Sequence, residues 1–452
     1  MTILFYLKRF STATITNFRS MQKGFVLFMF TVVLAGSNFI AAQPKSDALL
    51  QSIFQQNKND IFNQVITNPT KYRCQVIYTQ IDRDKNNAPH FKNYYFNYDP
   101  LLYFNPASTV KMPLAFLSLE KLKKLQAKGV NKLTSLQIDS SSDWQKPSFA
   151  DPTSKNGFPS IAHYIKKAFL VSDNDAYNRM YQFLGQQYIN RNLHSKGYKD
   201  VRITRQFMGL TPEQNRHTNQ VRFINEDGTT IYRQPSAYNT DSFDFSHTVK
   251  LGKGYLDKND SLVNEPFDFT MHNNLSLKDL HSMLQSVLFP ESFPKKQRFD
   301  ISSDDRQFLL QYLSQFPSET NYPKYDTSKY FDSYVKFFFN DNHSLPHNIR
   351  VFNKVGWAYG FMTDVSYVAD FKNNVEFMLS ATLYVNSDEI LNDNKYDYET
   401  IGYPFFSQLG QTIYNHELQR SRPFKPNLSA FTIQYEQRDK SDTRPTIKDV
   451  DN

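Results

Sequence analysis

Residues 354–368 read Lys-Val-Gly-Trp-Ala-Tyr-Gly-Phe-Met-Thr-Asp-Val-Ser-Tyr-Val, and the pattern around this string decides the fold. Ile349–Val355, Thr363–Asp370 and Val375–Val385 are rich in β-branched and aromatic residues and separated by short polar or glycine-bearing turns, so they predict a three-stranded meander. A matching signal lies near the other end of the chain. There Tyr72–Ile81 and Phe91–Tyr98 alternate around a polar turn and predict a hairpin. Between the two, helical spacing dominates from Ser108 to about Gly197, and earlier from Ala48 to Val65. Arg222–Tyr232 predicts a second hairpin closed at Asp227-Gly228. Ser276 with Asp279 three residues on is an N-cap pattern ahead of the stripe Leu277, Leu280, Met283, Leu284, Val287. Further helices are predicted near Asp304–Phe316 and Ile401–Leu418. Strands at both ends with helices between imply an α+β fold: one antiparallel sheet built from the two chain ends and flanked by helices, plus an inserted all-helical part.

Composition bounds what such a chain can be. Its 452 residues suit one large domain or two to three ordinary ones. With 40% apolar and 21% charged residues it can bury a core and is not broadly disordered. A single cysteine, Cys74, excludes an internal disulfide framework and any Cys-rich metal site. A mean hydropathy of −0.58 argues against a multi-span membrane protein. The net charge of +8 comes from basic residues scattered along the chain, a solvated surface and not a nucleic-acid footprint.

The start reads as an export signal over residues 1–42. Lys23 precedes the apolar run Gly24–Ala42, which ends on the small residues Ala41 and Ala42. Ser37 and Asn38 interrupt the run before it reaches the roughly 20 residues that a membrane span needs. Met21 is an alternative start. The expected layout is a leader over 1–42, one catalytic domain over 43–420, and a polar C-terminal tail over 421–452.

Three short strings carry chemistry. Ser108-Thr109-Val110-Lys111 is an S-x-x-K at the start of a helix. Ser172-Asp173-Asn174 ends a helical run, and Lys354-Val355-Gly356 lies on the strand that starts the meander. Singly these are weak signals, since S-x-x-K recurs at Ser20, Ser118, Ser292 and Ser333. Their order and setting give them weight. Three residues apart on a helix, Ser108 and Lys111 share a face. A neutral Lys111 amine could take the serine proton if burial and neighbouring cations depress its pKa. Lys354 could be such a cation and would attract a substrate carboxylate. The helix N-terminus would meet developing negative charge with backbone N–H groups. The ten histidines show neither H-x-H-x-D nor H-E-x-x-H, which speaks against a zinc hydrolase.

With these motifs and the flanking string 354–368, the chain resembles the class A β-lactamase family of penicillin-recognising serine hydrolases, from roughly residue 48 to 418. The resemblance implies an α/β part joined to an all-α part with the active site between them. It implies a Ser108 nucleophile, Lys111 as base and Ser172 as proton relay beside Lys354. Asn174 would orient the substrate amide, Gly356 would belong to the binding strand, and the backbone N–H of Trp357 would be the second oxyanion donor. It implies no cofactor and no metal, no nucleic-acid partner, a β-lactam or peptidoglycan stem peptide as substrate, and a monomer.

The chain departs from the family in two places. Val355 stands where a threonine or serine hydroxyl usually binds the substrate carboxylate. The loop that supplies the water-activating Glu reads Thr211-Pro212-Glu213-Gln214-Asn215, with Thr211 at the Glu position and Glu213 two residues late. Glu213 is a candidate deacylation base, and an exposed loop carboxylate is the other reading. Arg205 is a candidate for the loop's structural arginine. An insert around 217–272 lengthens the stretch between Ser172 and Lys354, either covering the site or forming a surface loop. Three functions stay open on sequence: a β-lactam hydrolase, a D,D-peptidase acting on peptidoglycan, and a non-hydrolysing sensor that stays acylated.

Overall fold

The computed structural model describes residues 45–340 and 345–450. The expected leader, 1–42, lies outside the described residues. The expected helical stretch 48–65 is two helices, α1 (Ala48–Phe54) and α2 (Asp60–Thr67). They are separated because the Asn59 side chain accepts the Phe62 backbone N–H at 3.0 Å and starts a new helix. The hairpin follows as β1 (Gln75–Arg83) and β2 (Pro89–Phe96).

A short 3₁₀ turn, Ala107–Val110, leads into α3 (Lys111–Leu125), which runs unbroken through Pro113. A proline in a first turn removes an N–H that has no strong helical partner. Next come β3 (Ser135–Ile138), α4 (Ile161–Leu170), α5 (Asn174–Leu184), α6 (Gln186–Ser195), β4 (Val221–Ile224) and β5 (Thr230–Gln234). Helices α7 (Leu277–Leu288) and α8 (Ser303–Ser314) precede the meander β6 (Ile349–Ala358), β7 (Phe361–Asp370), β8 (Val375–Tyr384), and α9 (Tyr403–Gln419) closes the regular elements. Ser276 caps α7 by accepting the Asp279 N–H at 3.0 Å, as its pattern predicts.

The main sheet has the order β6-β7-β8-β1-β2 and is antiparallel throughout, with Gln75 opposite Thr382 where the two chain ends meet. Alternation along β6 sends Val351 and Val355 into a core shared with Phe54, Phe62, Phe405 and Phe406 of α1, α2 and α9. Phe352 and Tyr367 point the opposite way, into the larger core with Leu284 of α7 and Tyr177 of α5. Lys354 and Gly356 share that second side of the strand, which turns them toward the helical part.

Two expectations change. The inserted part is not all-helical: β3, β4 and β5 form a three-stranded antiparallel sheet within it. Leu136, Ile138, Val221 and Phe223 are buried at period two, which fixes strands there. About a quarter of the expected insert, the hairpin 221–234, belongs to that sheet. His217–Thr218 pairs with Ala237–Tyr238, and two- and three-residue strand pairs follow around 250–268, one of which joins Ile390–Leu391. Nor do residues 421–450 trail away as a polar tail. Leu428 and Phe431 are buried, and Arg438 donates to the carbonyls of Thr320, Tyr325 and Pro317.

Candidate active site

The nucleophile candidate owes its position to a short turn. The Asn105 side chain accepts the Ala107 N–H at 2.9 Å, and Ala107 adopts a left-handed φ of 43°. That backbone is strained for a residue with a Cβ. It turns the chain into the 3₁₀ segment, so Ser108 stands half-buried at its start and Lys111 is fully buried one turn on. Nζ of Lys111 lies 2.7 Å from Ser108 Oγ and 2.8 Å from Asn174 Oδ1. It also meets the carbonyl oxygen of Ser172, and at 3.3 Å its hydroxyl.

Ser172 sits in the joint between α4 and α5 with φ at 64°, another left-handed non-glycine position. Asp173 holds that joint by capping α5, accepting the Ala176 N–H at 2.8 Å, and by pairing with Lys167 at 3.3 Å. From the sheet, Lys354 donates to Ser172 Oγ at 2.8 Å and to the Val355 carbonyl at 2.7 Å. Burial, followed by the proximity of Lys111, pushes the Lys354 pKa well below the usual lysine range. Ser172 Oγ therefore bridges two lysines, a proton path between Lys111 and Lys354.

Gly356 brings the strand against the nucleophile turn. A Cβ there would lie 2.6 Å from the Pro106 carbonyl oxygen and 2.8 Å from the backbone nitrogens of Ser108 and Thr109, so no larger residue fits. Trp357 follows directly and lines the same cavity as Ser108, Ser172 and Asn174, about 490 Å³ in volume. The structure thus assembles seven of the sequence-derived residues (Ser108, Lys111, Ser172, Asn174, Lys354, Gly356, Trp357) at one place. Val355 faces the opposite core and offers the cavity nothing.

Glu213 is not brought there. It is 65% exposed, beside Arg216 and His217, and does not line the cavity. Nor does Thr211, whose hydroxyl accepts the Gln214 N–H at 3.2 Å and caps the turn Gln214–Arg216. The residue of this loop that faces the base is Phe207, with its ring centroid 5.2 Å from Lys111 Nζ. No local pattern marks one aromatic among 40 phenylalanines, which is why sequence reasoning passed it by. Among the described residues that line the cavity there is no carboxylate.

Sequence reasoning also missed His272. At the far end of the expected insert, it lines the cavity with Arg205. Arg205 Nη1 lies 2.8 Å from its Nε2. Burial, then the Arg205 guanidinium, depress the His272 pKa to about 3, so its ring is neutral and accepts from the arginine.

A model of the Beta-lactamase enzyme family matches residues 58–237. That span carries Ser108, Lys111, Ser172 and Asn174, while Lys354 lies beyond it and is supplied by the folded sheet. No curated protein matches the chain in sequence. Among solved structures, a beta-lactamase from Sphaerobacter thermophilus is 14% identical, with 80% of this chain and 98% of that one covered and a TM-score of 0.43. The chromosome-encoded beta-lactamase of Vibrio parahaemolyticus is 14% identical, over 80% and 100% of the chains, with a TM-score of 0.44. One from Xanthomonas campestris is 13% identical, over 81% and 97%, with a TM-score of 0.45.

Proposed function

We propose that the protein is an exported serine hydrolase that opens β-lactam amides through a Ser108 acyl-enzyme and releases the acyl group slowly. The observation that carries this reading is the 2.7 Å contact between Ser108 Oγ and the buried Lys111 amine, with Ser172 linking that amine to Lys354. Ser108 Oγ attacks the lactam carbonyl as its proton passes to Lys111. The oxyanion forms against the N–H groups of Ser108 and Trp357. As the C–N bond breaks, the proton moves from Lys111 through the Ser172 hydroxyl to the lactam nitrogen, and Asn174 holds the substrate amide.

Release of the acyl group needs an activated water, and among the described residues that line the cavity there is no carboxylate to activate one. A positioned base contributes about 10²–10⁴-fold, so its absence favours a persistent adduct. That same observation supports the second reading, a β-lactam or cell-wall sensor that remains acylated. Intact-mass measurement after β-lactam exposure should show an adduct in the parent and none in Ser108→Ala. An equal adduct on the variant would sink the nucleophile assignment. Following a fluorescent penicillin and a chromogenic cephalosporin together separates hydrolase from sensor. Export predicts a mature N-terminus near Gln43, and an intact Met1 or Met21 on recovered protein would contradict it.

A further inference from the structure

Arg205 is a cation in the substrate cavity with no acidic partner among the described residues. None of the ion pairs among the described residues includes it, and its side chain is held by a neutral ring, that of His272. Its backbone is fixed from both sides: the Asn273 side chain accepts the Arg205 N–H at 3.1 Å, and Tyr177 Oη donates to the Arg205 carbonyl at 2.8 Å. A clamped guanidinium facing a cavity whose described lining residues include no carboxylate is preorganised for an incoming anion. Asp268 lines an adjoining cavity of about 350 Å³ that shares Arg205 and His272, but it is turned to the Thr270 N–H at 2.8 Å.

The place of Arg205 relative to the reacting serine follows from strand β6. Lys354 is buried behind Ser172, Gly356 touches the nucleophile turn, and Trp357, Ala358 and Tyr359 line the cavity beyond it. From Lys354 to Ala358 the strand advances about 13 Å. Tyr359 then lies 5.9 Å from His272, ring to ring. Lys354 and the Arg205–His272 pair therefore flank Ser108 at opposite ends. Ser172 and Lys354 serve the leaving nitrogen, so Arg205 stands on the side of the acyl group.

We infer that Arg205 binds a second carboxylate, carried on the acyl side of the substrate, and that the protein selects dianionic amides. This rests on the reading of Ser108 as the acylated residue. The shared cavity gives the acyl arm room to extend past Arg205, where Phe243 and Phe245 offer an apolar wall.

The test compares two penicillins that differ only by a carboxylate on the acyl side chain. Second-order rate constants for the Ser108 adduct are read by intact mass at low and high salt. The dicarboxylate should react about tenfold faster, as expected for one charge-assisted bidentate contact, and the advantage should shrink as salt screens it. Arg205→Gln should bring the ratio to one, and Arg205→Lys should keep part of it. Because the readout is a ratio, a general loss of activity cancels. Equal rates in the parent, or a preference that survives Arg205→Gln, overturn the inference. If neither compound acylates the protein, the Ser108 reading fails, and calorimetric binding to Ser108→Ala decides the inference separately. Tighter binding of the dicarboxylate that is lost with Arg205→Gln supports it; equal binding or none overturns it.

Discussion

Phe207 places its ring 5.2 Å from Lys111 Nζ, and an aromatic face can neither hold nor deprotonate a water. In the proposed acylation Lys111 passes on the serine proton, while no carboxylate among the described residues that line the cavity would prepare the second nucleophile. Phe207→Glu would set a carboxylate against Lys111 in a cavity whose described lining residues include none. The expected outcome is an acyl-enzyme lifetime shortened by at least about tenfold, within the range for a positioned base, read from loss of bound fluorescent penicillin. An unchanged lifetime would mean that something other than a missing base holds the adduct. Lys111→Ala should act on the opposite step and slow adduct formation by about 10²–10⁴-fold. Normal acylation in that variant would remove Lys111 as the base. The residues that gather around Ser108 were legible in the sequence because helix and strand geometry fix their spacing: Ser108 and Lys111 one turn apart, Lys354 and Gly356 on one side of a strand. Phe207, Arg205 and His272 depend on how a loop and an insert fold back over the site, and no period encodes that.

Helix α7 shows how elements are joined. Its His281 is buried between the sheet strands, with Nε2 2.7 Å from Thr79 Oγ1 and Nδ1 2.8 Å from Ser380 Oγ. Both partners are hydroxyls, which can accept or donate as a neutral ring requires. Burial depresses the His281 pKa to about 3, against about 6.5 in the unfolded chain. Between those values the unfolded state binds the extra proton, so stability rises with pH. The contribution is fully present above about pH 6.5 and is lost as pH falls toward 3, at about 1.4 kcal/mol per pH unit. His272, also depressed to about 3, adds the same sign. Urea unfolding at pH 7, 6, 5 and 4 should show this slope, and His281→Gln should make it shallower. Identical slopes would assign the acid sensitivity elsewhere. The helix itself was legible from the Ser276 cap and its apolar stripe. Its histidine joint was not, because Thr79 and Ser380 lie far apart in sequence and only the sheet register sets them diagonally on neighbouring strands, with Ser380 opposite Ile77.

Residues 421–450 act on the molecule as a whole. They carry few apolar residues, so composition suggests a loose tail, yet the few they have are placed at the core. Phe431 packs its ring 4.7 Å from Tyr367, 5.6 Å from Phe352 and 5.4 Å from Phe289, at the back of the main sheet and against the end of α7. Farther on, Tyr435 stacks on the Arg350 guanidinium of β6 at 3.7 Å, and Glu436 receives Lys166 of α4 at 2.9 Å and the Tyr312 hydroxyl of α8. Ile447 then pairs with Tyr325, and Val450 reaches the wall of the cavity that holds Ser108. One segment therefore ties the sheet, two helices of the inserted part and the site. Removing 421–452 strips Leu428 and Phe431 from the core, each worth about 1.5–3 kcal/mol of burial, and leaves the carbonyls served by Arg438 without that donor. The expected loss is at least about 3 kcal/mol in urea unfolding. Phe431→Ala alone should cost about 3–5 kcal/mol, as for a buried phenylalanine elsewhere. It leaves the ties at 435–450 in place, so its acylation rate at low denaturant should exceed that of the truncated protein. A truncated protein with the parent's unfolding midpoint and acylation rate would show that the segment merely lies on the surface.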